Sequence, residues 1–197
     1  SGMRYMFTMM NQARLAVGLE GLAVADRSFQ QAFEYALERQ QGRRHDTAKG
    51  QSVAIIEHPD VRRMLMTMKA YVEAMRCLMY LNAKTIDIAL NHPDETERQR
   101  GQELTDLLTP LSKGWGTDLG NELTSLGIQV HGGMGFIEET GAAQHYRDIR
   151  IAAIYEGTNG IQAIDLVGRK LPMRDGNVVF ELISEIENTV RELSDEG

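Results

Sequence analysis

Glu156 is the side chain whose type and setting best suit acid–base chemistry. It lies in Ile154-Tyr155-Glu156-Gly157-Thr158-Asn159, between an aromatic ring and a glycine. Apolar neighbours raise the pKa of a carboxyl group by desolvating its charged form, which makes it a useful base near neutral pH. Tyr155 and the apolar residues 151–154 could form such a wall. The segment therefore predicts a proton-abstracting base, with an exposed loop glutamate as the alternative.

A glycine-rich turn offers a second kind of chemistry. Gly132-Gly133-Met134-Gly135 exposes backbone amides, which can approach an anion closely where side chains are absent. The glycine spacing matches neither a dinucleotide fingerprint nor a P-loop, and no Lys-Ser or Lys-Thr pair follows it. The turn therefore predicts either a phosphate-binding backbone or an ordinary connection between helices.

Arg39 is a third candidate, near the predicted end of the first helix. A guanidinium group binds phosphate oxygens in a forked geometry. A cation at the C-terminus of a helix also complements the helix dipole, without any ligand. Both interpretations of Arg39 stay open from the residues alone.

Composition narrows the possible partners and compartments. The chain has 197 residues, with 21 basic and 28 acidic side chains and a formal net charge of −7, which argues against nucleic acid as a partner. The single cysteine, Cys77, excludes an internal disulfide and favours a reducing, cytoplasmic location. No apolar run is long enough to cross a bilayer, so no membrane association is predicted. No metal site is predicted either, because His131, His145 and Asp148 lack the helical spacing of metalloprotease ligands.

The elements that must position these groups are helices. Apolar residues recur at helical spacing over residues 6–39, 59–86 and 104–126. A shorter helix is predicted over residues 158–171, and an amphipathic one from residue 177 onward. Strand-like alternation is not sustained anywhere in the sequence. This pattern predicts an all-α fold, an up-and-down four-helix bundle with an extra C-terminal helix.

Three motifs together resemble the C-terminal helical domain of the acyl-CoA dehydrogenases. Their order, spacing and content all match, and the resemblance covers most of residues 3–171. The motifs are Gln129-Val130-His131-Gly132-Gly133-Met134-Gly135-Phe136, Tyr146-Arg147-Asp148 and Ile154-Tyr155-Glu156-Gly157-Thr158-Asn159-Gly160-Ile161-Gln162. The variants over residues 135–141 and 158–163 most resemble the branch that includes 3-methylmercaptopropionyl-CoA dehydrogenase.

The resemblance implies a flavoenzyme and assigns roles to these residues. In the family, a glutamate takes the α-proton of an acyl-CoA thioester while hydride leaves the β-carbon for FAD, which gives a trans-2-enoyl-CoA. Glu156 matches that glutamate, and Tyr155 and Gly157 beside it are expected at the substrate. The residues expected to contact FAD are Arg39, Gln129, Gly132, Gly133, Thr158 and Gly160. Gln129 and the two glycines match a segment that commonly contacts the adenosine side of an FAD held by a neighbouring subunit.

The same resemblance implies partners and a domain division. The expected partners are an acyl-CoA substrate, an electron-transfer flavoprotein and further copies of the chain, in a homodimer or a dimer of dimers. Residues 1–2 are interpreted as a cloning remnant, residues 3–171 as the family's helical bundle and residues 172–197 as the start of a truncated extension. The family's N-terminal helical domain and middle β-domain are not in this sequence, so the chain is expected to be a piece of a larger enzyme with little activity alone.

Three alternatives to a dehydrogenase remain at this point. An acyl-CoA oxidase shares the glutamate but lets oxygen reach the reduced flavin. A non-catalytic FAD-binding relative of the DNA-protecting kind would be expected to carry a basic face, against which the net charge of −7 speaks. A pure helical scaffold would leave the combined motifs unexplained.

Overall fold

The computed structural model describes residues 2–43 and 51–195, and helices dominate both segments. The predicted terminal segments, residues 1–2 and 172–197, are described except for Ser1, Glu196 and Gly197, which lie outside these residues. The long helices are α1 (Gly2–Glu38), α2 (Pro59–Asn91) and α3 (Glu95–His131). The shorter ones are α4 (Gly133–Phe136), α5 (Ala142–Ile149), α6 (Asn159–Asp165) and α7 (Asn177–Asp195). The prediction of an all-α fold is confirmed.

Local sequence signals explain where the long helices begin and end. Pro59 occupies the first position of α2, where its missing amide hydrogen costs no helical hydrogen bond. The Asp94 carboxylate caps α3 by accepting hydrogen bonds from the amides of Thr96 and Glu97, at 2.7 and 3.2 Å. These amide bonds hold the pKa of Asp94 below its usual value. Gly132 ends α3 with a φ of +62°, a conformation that favours glycine.

The three long helices run up, down and up. Gly18 of α1 lies against Ser112 of α3, and Ser28 lies against Gly127, so α1 and α3 are parallel. Asn82 of α2 donates a hydrogen bond to Ser112 at 2.9 Å, while the earlier Gly101 of α3 packs on the later part of α2, so α2 and α3 are antiparallel. The core between them is formed mainly by Leu22, Ala25, Ala32, Met64, Leu65, Met68, Val72, Met75, Met79, Leu119 and Leu123.

The fourth helix of the bundle is divided by the loop that carries Glu156. His145 of α5 contacts Gln31 near the end of α1, and Gln162 of α6 lies against Gly114 in the middle of α3. Lys170 then reaches Asp106 in an earlier turn of α3, so α5 and α6 follow one another down the bundle. The predicted helix over residues 158–171 is α-helical over Asn159–Asp165 and continues as the π-helical segment Leu166–Lys170. The predicted up-and-down bundle is confirmed, with its fourth helix broken at mid-length.

Glycines let α1 and α3 approach closely beside this break. A Cβ atom on Gly21 would lie 2.3 Å from the carbonyl oxygen of Gly116, and one on Gly120 would lie 3.0 Å from the Cα of Gly21. Neither position has space for a side chain. Gly116 and Gly120 of α3 thus allow the backbone of α1 to approach closely.

The extra C-terminal helix, α7, is attached to α3 largely by charge. Arg174, ahead of α7, pairs with Glu103 at 3.0 Å, and Arg100 of α3 pairs with Glu185. Val178 is the buried apolar residue at the start of α7. This helix thus extends the bundle along the first turns of α3, away from the Glu156 loop.

Candidate functional site

The Glu156 loop, residues 150–158, connects α5 to α6. It begins with the 3-10 turn Arg150–Ala153 and ends at Thr158, whose hydroxyl caps α6 by accepting from the amide of Ile161 at 3.4 Å. Glu156 has a φ of +55° and Gly157 a φ of +83°. A positive φ on a residue with a side chain costs energy and persists only where the surroundings impose it.

Buried side chains from three helices impose that backbone conformation. The carbonyl oxygen of Glu156 accepts hydrogen bonds from Arg14 Nε at 3.4 Å and from Gln162 Nε2 at 3.5 Å. The carbonyl oxygen of Gly157 accepts from Lys113 Nζ at 2.7 Å and from Gln162 Nε2 at 3.1 Å. Three donors, on α1, α3 and α6, therefore fix the two peptide units that follow the Glu156 side chain.

The Arg14 side chain is itself held by an acid. Its guanidinium lies 3.7 Å from the Asp165 carboxylate, and both side chains are less than one-tenth exposed. Arg169 approaches the other carboxylate oxygen of Asp165 at 2.6 Å. This pairing places an opposite charge beside the buried guanidinium and helps direct it at the Glu156 loop.

Tyr155 anchors the N-terminal side of Glu156. Its ring packs against the cluster formed by Val17, Ile149 and Ala152. Its hydroxyl donates a hydrogen bond to the Glu20 carboxylate. Burial and this acidic partner raise the pKa of Tyr155 to about 12, so the phenol stays protonated at neutral pH.

The apolar wall expected around Glu156 is only partly formed. Tyr155 and Ala152 are packed as expected, but Ile151 and Ile154 are 52% and 48% exposed. Glu156 itself is half-buried. The apolar residues of the loop thus leave Glu156 partly accessible to solvent.

A cleft lies where α1 ends beside the glycine turn, apart from the Glu156 loop. It encloses about 270 Å³ and is lined by Arg39, Gly132 and eight neighbours, among them the stacked rings of Tyr35 and His131, whose centroids are 4.4 Å apart. His58 also lines it and bonds the carbonyl oxygen of Gln41 through its ring. The cleft thus combines one exposed guanidinium with aromatic rings and a glycine backbone.

The glycine turn leaves open space at this cleft. A Cβ atom on Gly132 or Gly133 would meet no other atom within 4 Å. Gln129, in the last turn of α3, is exposed. A cation beside an uncovered backbone and two rings is chemically suited to a phosphate group that carries a purine.

The structure separates the predicted FAD contacts into two groups. Arg39 and Gly132 line the cleft, with Gln129 and Gly133 close to Gly132 along the chain, whereas Thr158 and Gly160 lie at the start of α6, next to Glu156. Tyr155 and Gly157, expected at the substrate, belong to this second group. Glu20, which contacts Tyr155, and Arg39 are 19 residues apart along α1, which corresponds to about 28 Å.

The histidines considered as metal ligands have other partners. His131 donates its Nδ1 proton to the carbonyl oxygen of Gly127 at 2.7 Å, and His145 bonds Gln31 at 2.9 Å. Over residues 2–43 and 51–195, no group of three His, Cys, Asp or Glu side chains could hold a metal ion. None of the helices described there has the length and apolarity that a membrane crossing requires.

Sequence reasoning assigned no role to the residues that hold the Glu156 loop. Gln162 lies within a matched motif and Arg14 within residues 3–171, which the resemblance mostly covers, but their donor roles depend on contacts across the fold. Lys113 had a weak signal: it lies on α3 among small residues that include Gly116, Thr117 and Gly120. A lysine on a helix face of small residues is expected to be buried, because such a face packs closely on another helix.

Comparison with known proteins relates this geometry to one family. The model of the family described as acyl-CoA dehydrogenase, C-terminal domain, matches residues 1–171. The 3-methylmercaptopropionyl-CoA dehydrogenase of Ruegeria pomeroyi is 50% identical over 100% of this chain and 33% of that protein. A butyryl-CoA dehydrogenase of Syntrophomonas wolfei is 39% identical over 94% of this chain and 30% of that protein.

A solved structure shares the fold. The acyl-CoA dehydrogenase complexed with FAD from Bacillus anthracis superimposes with a TM-score of 0.73 at 24% identity, over 86% of this chain and 29% of that one. The chain spans about a third of the length of the curated relatives it matches.

Proposed function

Because the chain belongs to the acyl-CoA dehydrogenase family, we propose that it is the C-terminal domain of an enzyme that oxidises an acyl-CoA thioester to a trans-2-enoyl-CoA, with Glu156 as the base. One observation carries the proposal: a half-buried carboxylate stands on a loop whose next two carbonyl groups are held by buried donors. A base must be placed within hydrogen-bonding reach of the proton it removes, and such a loop can hold it there.

The backbone of the same loop supplies the complementary donor. The carbonyl groups of Glu156 and Gly157 point toward Arg14, Lys113 and Gln162 in the interior. In a trans peptide the N–H group points opposite to the carbonyl group, so the amides of Gly157 and Thr158 point away from that interior. The amides of Gly157 and Thr158 are then free of that interior network, and the family resemblance implies that the amide of Glu156 itself contacts the thioester oxygen. Charge develops on that oxygen as the α-proton leaves, and donors stabilise it.

FAD, when bound, accepts the hydride that leaves the β-carbon. Thr158 and Gly160 would hold the flavin end of one FAD beside Glu156. Arg39, Gln129, Gly132 and Gly133 would hold the adenosine and pyrophosphate part of another, at the cleft. The separation of about 28 Å between Glu20, beside Tyr155, and Arg39 supports contacts of each chain with two FAD molecules, each shared with another chain, and therefore a homodimer or a dimer of dimers.

The proposed electron acceptor is an electron-transfer flavoprotein, and the proposed location is the cytoplasm. The family membership supports the acceptor, and the single exposed cysteine, Cys77, is compatible with a reducing compartment. Oxygen consumption during turnover would instead identify an oxidase.

The decisive variant is Glu156→Gln, which keeps the shape of the side chain and removes its basicity. It is made in a protein that joins this chain to the regions its relatives carry, loaded with FAD. Flavin bleaching is followed without oxygen after mixing with 3-methylmercaptopropionyl-CoA or butyryl-CoA, which the names of two relatives suggest. We expect retained FAD and bleaching slowed by about 10²- to 10⁴-fold.

Glu20→Gln is the matched control, because Glu20 is an exposed carboxylate that contacts Tyr155 in the same region. Its bleaching rate is expected to stay close to that of the unmodified protein. Undiminished bleaching in Glu156→Gln would overturn the assignment of the base.

A further inference from the structure

Lys113 is a fully buried lysine for which the proposed chemistry has no direct use. It lies in the middle of α3, and its exposed fraction is 0%. Its ammonium donates to the carbonyl oxygen of Gly157 at 2.7 Å and to Asn159 Oδ1 at 2.8 Å. These acceptors belong to the residue after Glu156 and to the first residue of α6.

Placing an ammonium group there costs free energy. Lysine is almost never fully buried unless it is paired with an opposite charge, and both oxygens that Lys113 contacts are neutral. Burial lowers the pKa of Lys113, the positive charge of Arg14 lowers it further, and the negative charges of Asp118 and Glu156 offset only part of this lowering. The fold therefore carries a desolvated charge directly beneath the Glu156 loop.

One of the two oxygens does not depend on this charge for a partner. Gln162 also donates to the carbonyl oxygen of Gly157, at 3.1 Å, whereas the hydroxyl of Thr117, 3.2 Å from Asn159 Oδ1, has a closer acceptor in the carbonyl oxygen of Lys113, at 2.8 Å. Removing the ammonium would thus leave the carbonyl oxygen of Gly157 paired. What would be lost is the strongest of the donors, since hydrogen bonds from a charged group are about twice as strong as neutral ones.

We propose that Lys113 is a positioning residue for the base: its ammonium fixes the carbonyl group of Gly157 and the start of α6, and thereby the direction of the Glu156 carboxylate. This inference rests on the proposed role of Glu156. Two consecutive residues with positive φ form this part of the loop, and small rotations there would swing the carboxylate. Lys113 binds the carbonyl group of Gly157 and so limits rotation on the C-terminal side of the loop. Arg14 binds the carbonyl group of Glu156, in the preceding peptide unit.

The test compares Lys113→Met with Lys84→Met in the same FAD-loaded protein. Methionine keeps the length and apolar stem of lysine, and Lys84 is an exposed lysine on α2. For Lys113→Met we expect kcat to fall about 100-fold, as for a misplaced catalytic group, with FAD content and KM changed by no more than about twofold. Lys84→Met should leave kcat unchanged. A Lys113→Met variant with the kcat of the unmodified protein overturns the inference.

A double variant separates this inference from the proposed function. If Lys113 acts through Glu156, Lys113→Met should have little further effect in a Glu156→Gln background, because the group it positions is already absent. Full additivity of the two losses overturns the positioning role. A Glu156→Gln variant that stays active would instead contradict the proposed function.

A measurement on the unmodified 197-residue chain covers the case in which the variant fails to fold. Nitrogen-15 labelling of lysine lets the side-chain ammonium protons be followed by NMR. The Lys113 protons are expected to exchange with water much more slowly than those of Lys84. Exchange as fast as at exposed lysines would show that the ammonium is not held, and the inference would be wrong.

Discussion

The Glu156 loop and the cleft at Arg39 are supported in opposite ways. The loop is held by side chains that reach it from distant parts of the chain, with Arg14 and Lys113 respectively 142 and 44 residues away from the carbonyl groups they contact. The cleft is shaped by the local backbone. Gly132 ends α3 there with a φ of +62°, and the space beside its Cα is empty to 4 Å.

This difference matches what each region is proposed to do. Proton removal requires a carboxylate held in one direction, which buried donors can enforce. Binding a phosphate requires mainly accessible amides and a cation, which a glycine turn and one arginine provide. The loop should therefore be sensitive to changes in packing, and the cleft to changes in charge.

Substituting a glycine in each region is expected to give the largest contrast. A Cβ atom on Gly157 would lie 3.0 Å from Gln162 Nε2, and its φ of +83° disfavours any side chain. Gly157→Ala should lower kcat by about 100-fold. Gly133→Ala, where the added atom meets nothing within 4 Å, should leave kcat nearly unchanged. Steady-state kinetics on both proteins would decide, and equal losses would remove the contrast.

Charge removal at the cleft is expected to have an intermediate effect. Arg39→Gln should weaken FAD binding by about tenfold, which corresponds to about 1.4 kcal/mol, and leave the rate of flavin bleaching at saturating FAD unaltered. Fluorescence titration of the apoprotein with FAD measures the affinity. Arg62→Gln, an exposed arginine on α2, is the control. A slower bleaching rate with normal FAD affinity would show that Arg39 affects the chemical step and not FAD binding, which contradicts this comparison.

Lys113→Met should change the pH dependence of stability more than stability itself. At pH 7 we expect a free energy of unfolding within about 1 kcal/mol of the unmodified chain, because replacing a buried charge by an apolar group is often neutral. The pKa of Lys113 is lowered in the folded chain, mainly by burial, while an unfolded lysine has a pKa of about 10.4.

The sign of the pH effect follows from proton binding. Between the lowered folded pKa and about pH 10.4, the unfolded chain binds more protons, so the contribution of Lys113 to stability rises with pH. Below the folded pKa that contribution is constant and at its lowest. Urea unfolding of the 197-residue chain should therefore show the unmodified protein gaining stability relative to Lys113→Met as the pH is raised toward 10. A relative loss over that range would contradict the burial of a charged lysine.

Tyr155→Phe is expected to have the smallest effect. The ring and its packing against Val17 remain, and only the hydrogen bond to Glu20 is lost. Unfolding should cost about 0.5 to 1 kcal/mol less, and kcat should change by only a few-fold. Thermal unfolding and steady-state rates are the measurements. A loss of kcat as large as that of Gly157→Ala would show that the hydroxyl, rather than the loop backbone, orients the base.

The sequence predicted the helices and the motif residues because both depend on local spacing. Apolar periodicity predicted α2 from Pro59, and motif order identified Glu156 and the glycine turn. The break of the fourth helix into α5 and α6, and its π-helical end at Leu166–Lys170, were not predicted, because contacts with α1 and α3 determine them.

The donors behind the Glu156 loop were not predicted, for a related reason, although the small residues around Lys113 gave a weak signal of its burial. A single lysine or arginine in a helix is normally assigned to the surface, and only packing makes Arg14 and Lys113 buried. Ile151 and Ile154 show the converse, since apolar residues expected to cover Glu156 are half exposed. The burial of an individual residue depends on the tertiary fold. The apolar periodicity of a helix predicts only which face is buried on average.

Exchange of the substrate α-proton tests most directly that Glu156 is the base. The FAD-loaded protein, with its flavin reduced beforehand so that no net oxidation can occur, is incubated with butyryl-CoA in D₂O. Mass spectrometry then measures deuterium at the α-carbon. We predict steady incorporation by the unmodified protein and incorporation slower by about 10²- to 10⁴-fold with Glu156→Gln. Equal incorporation by both proteins would contradict the role of Glu156.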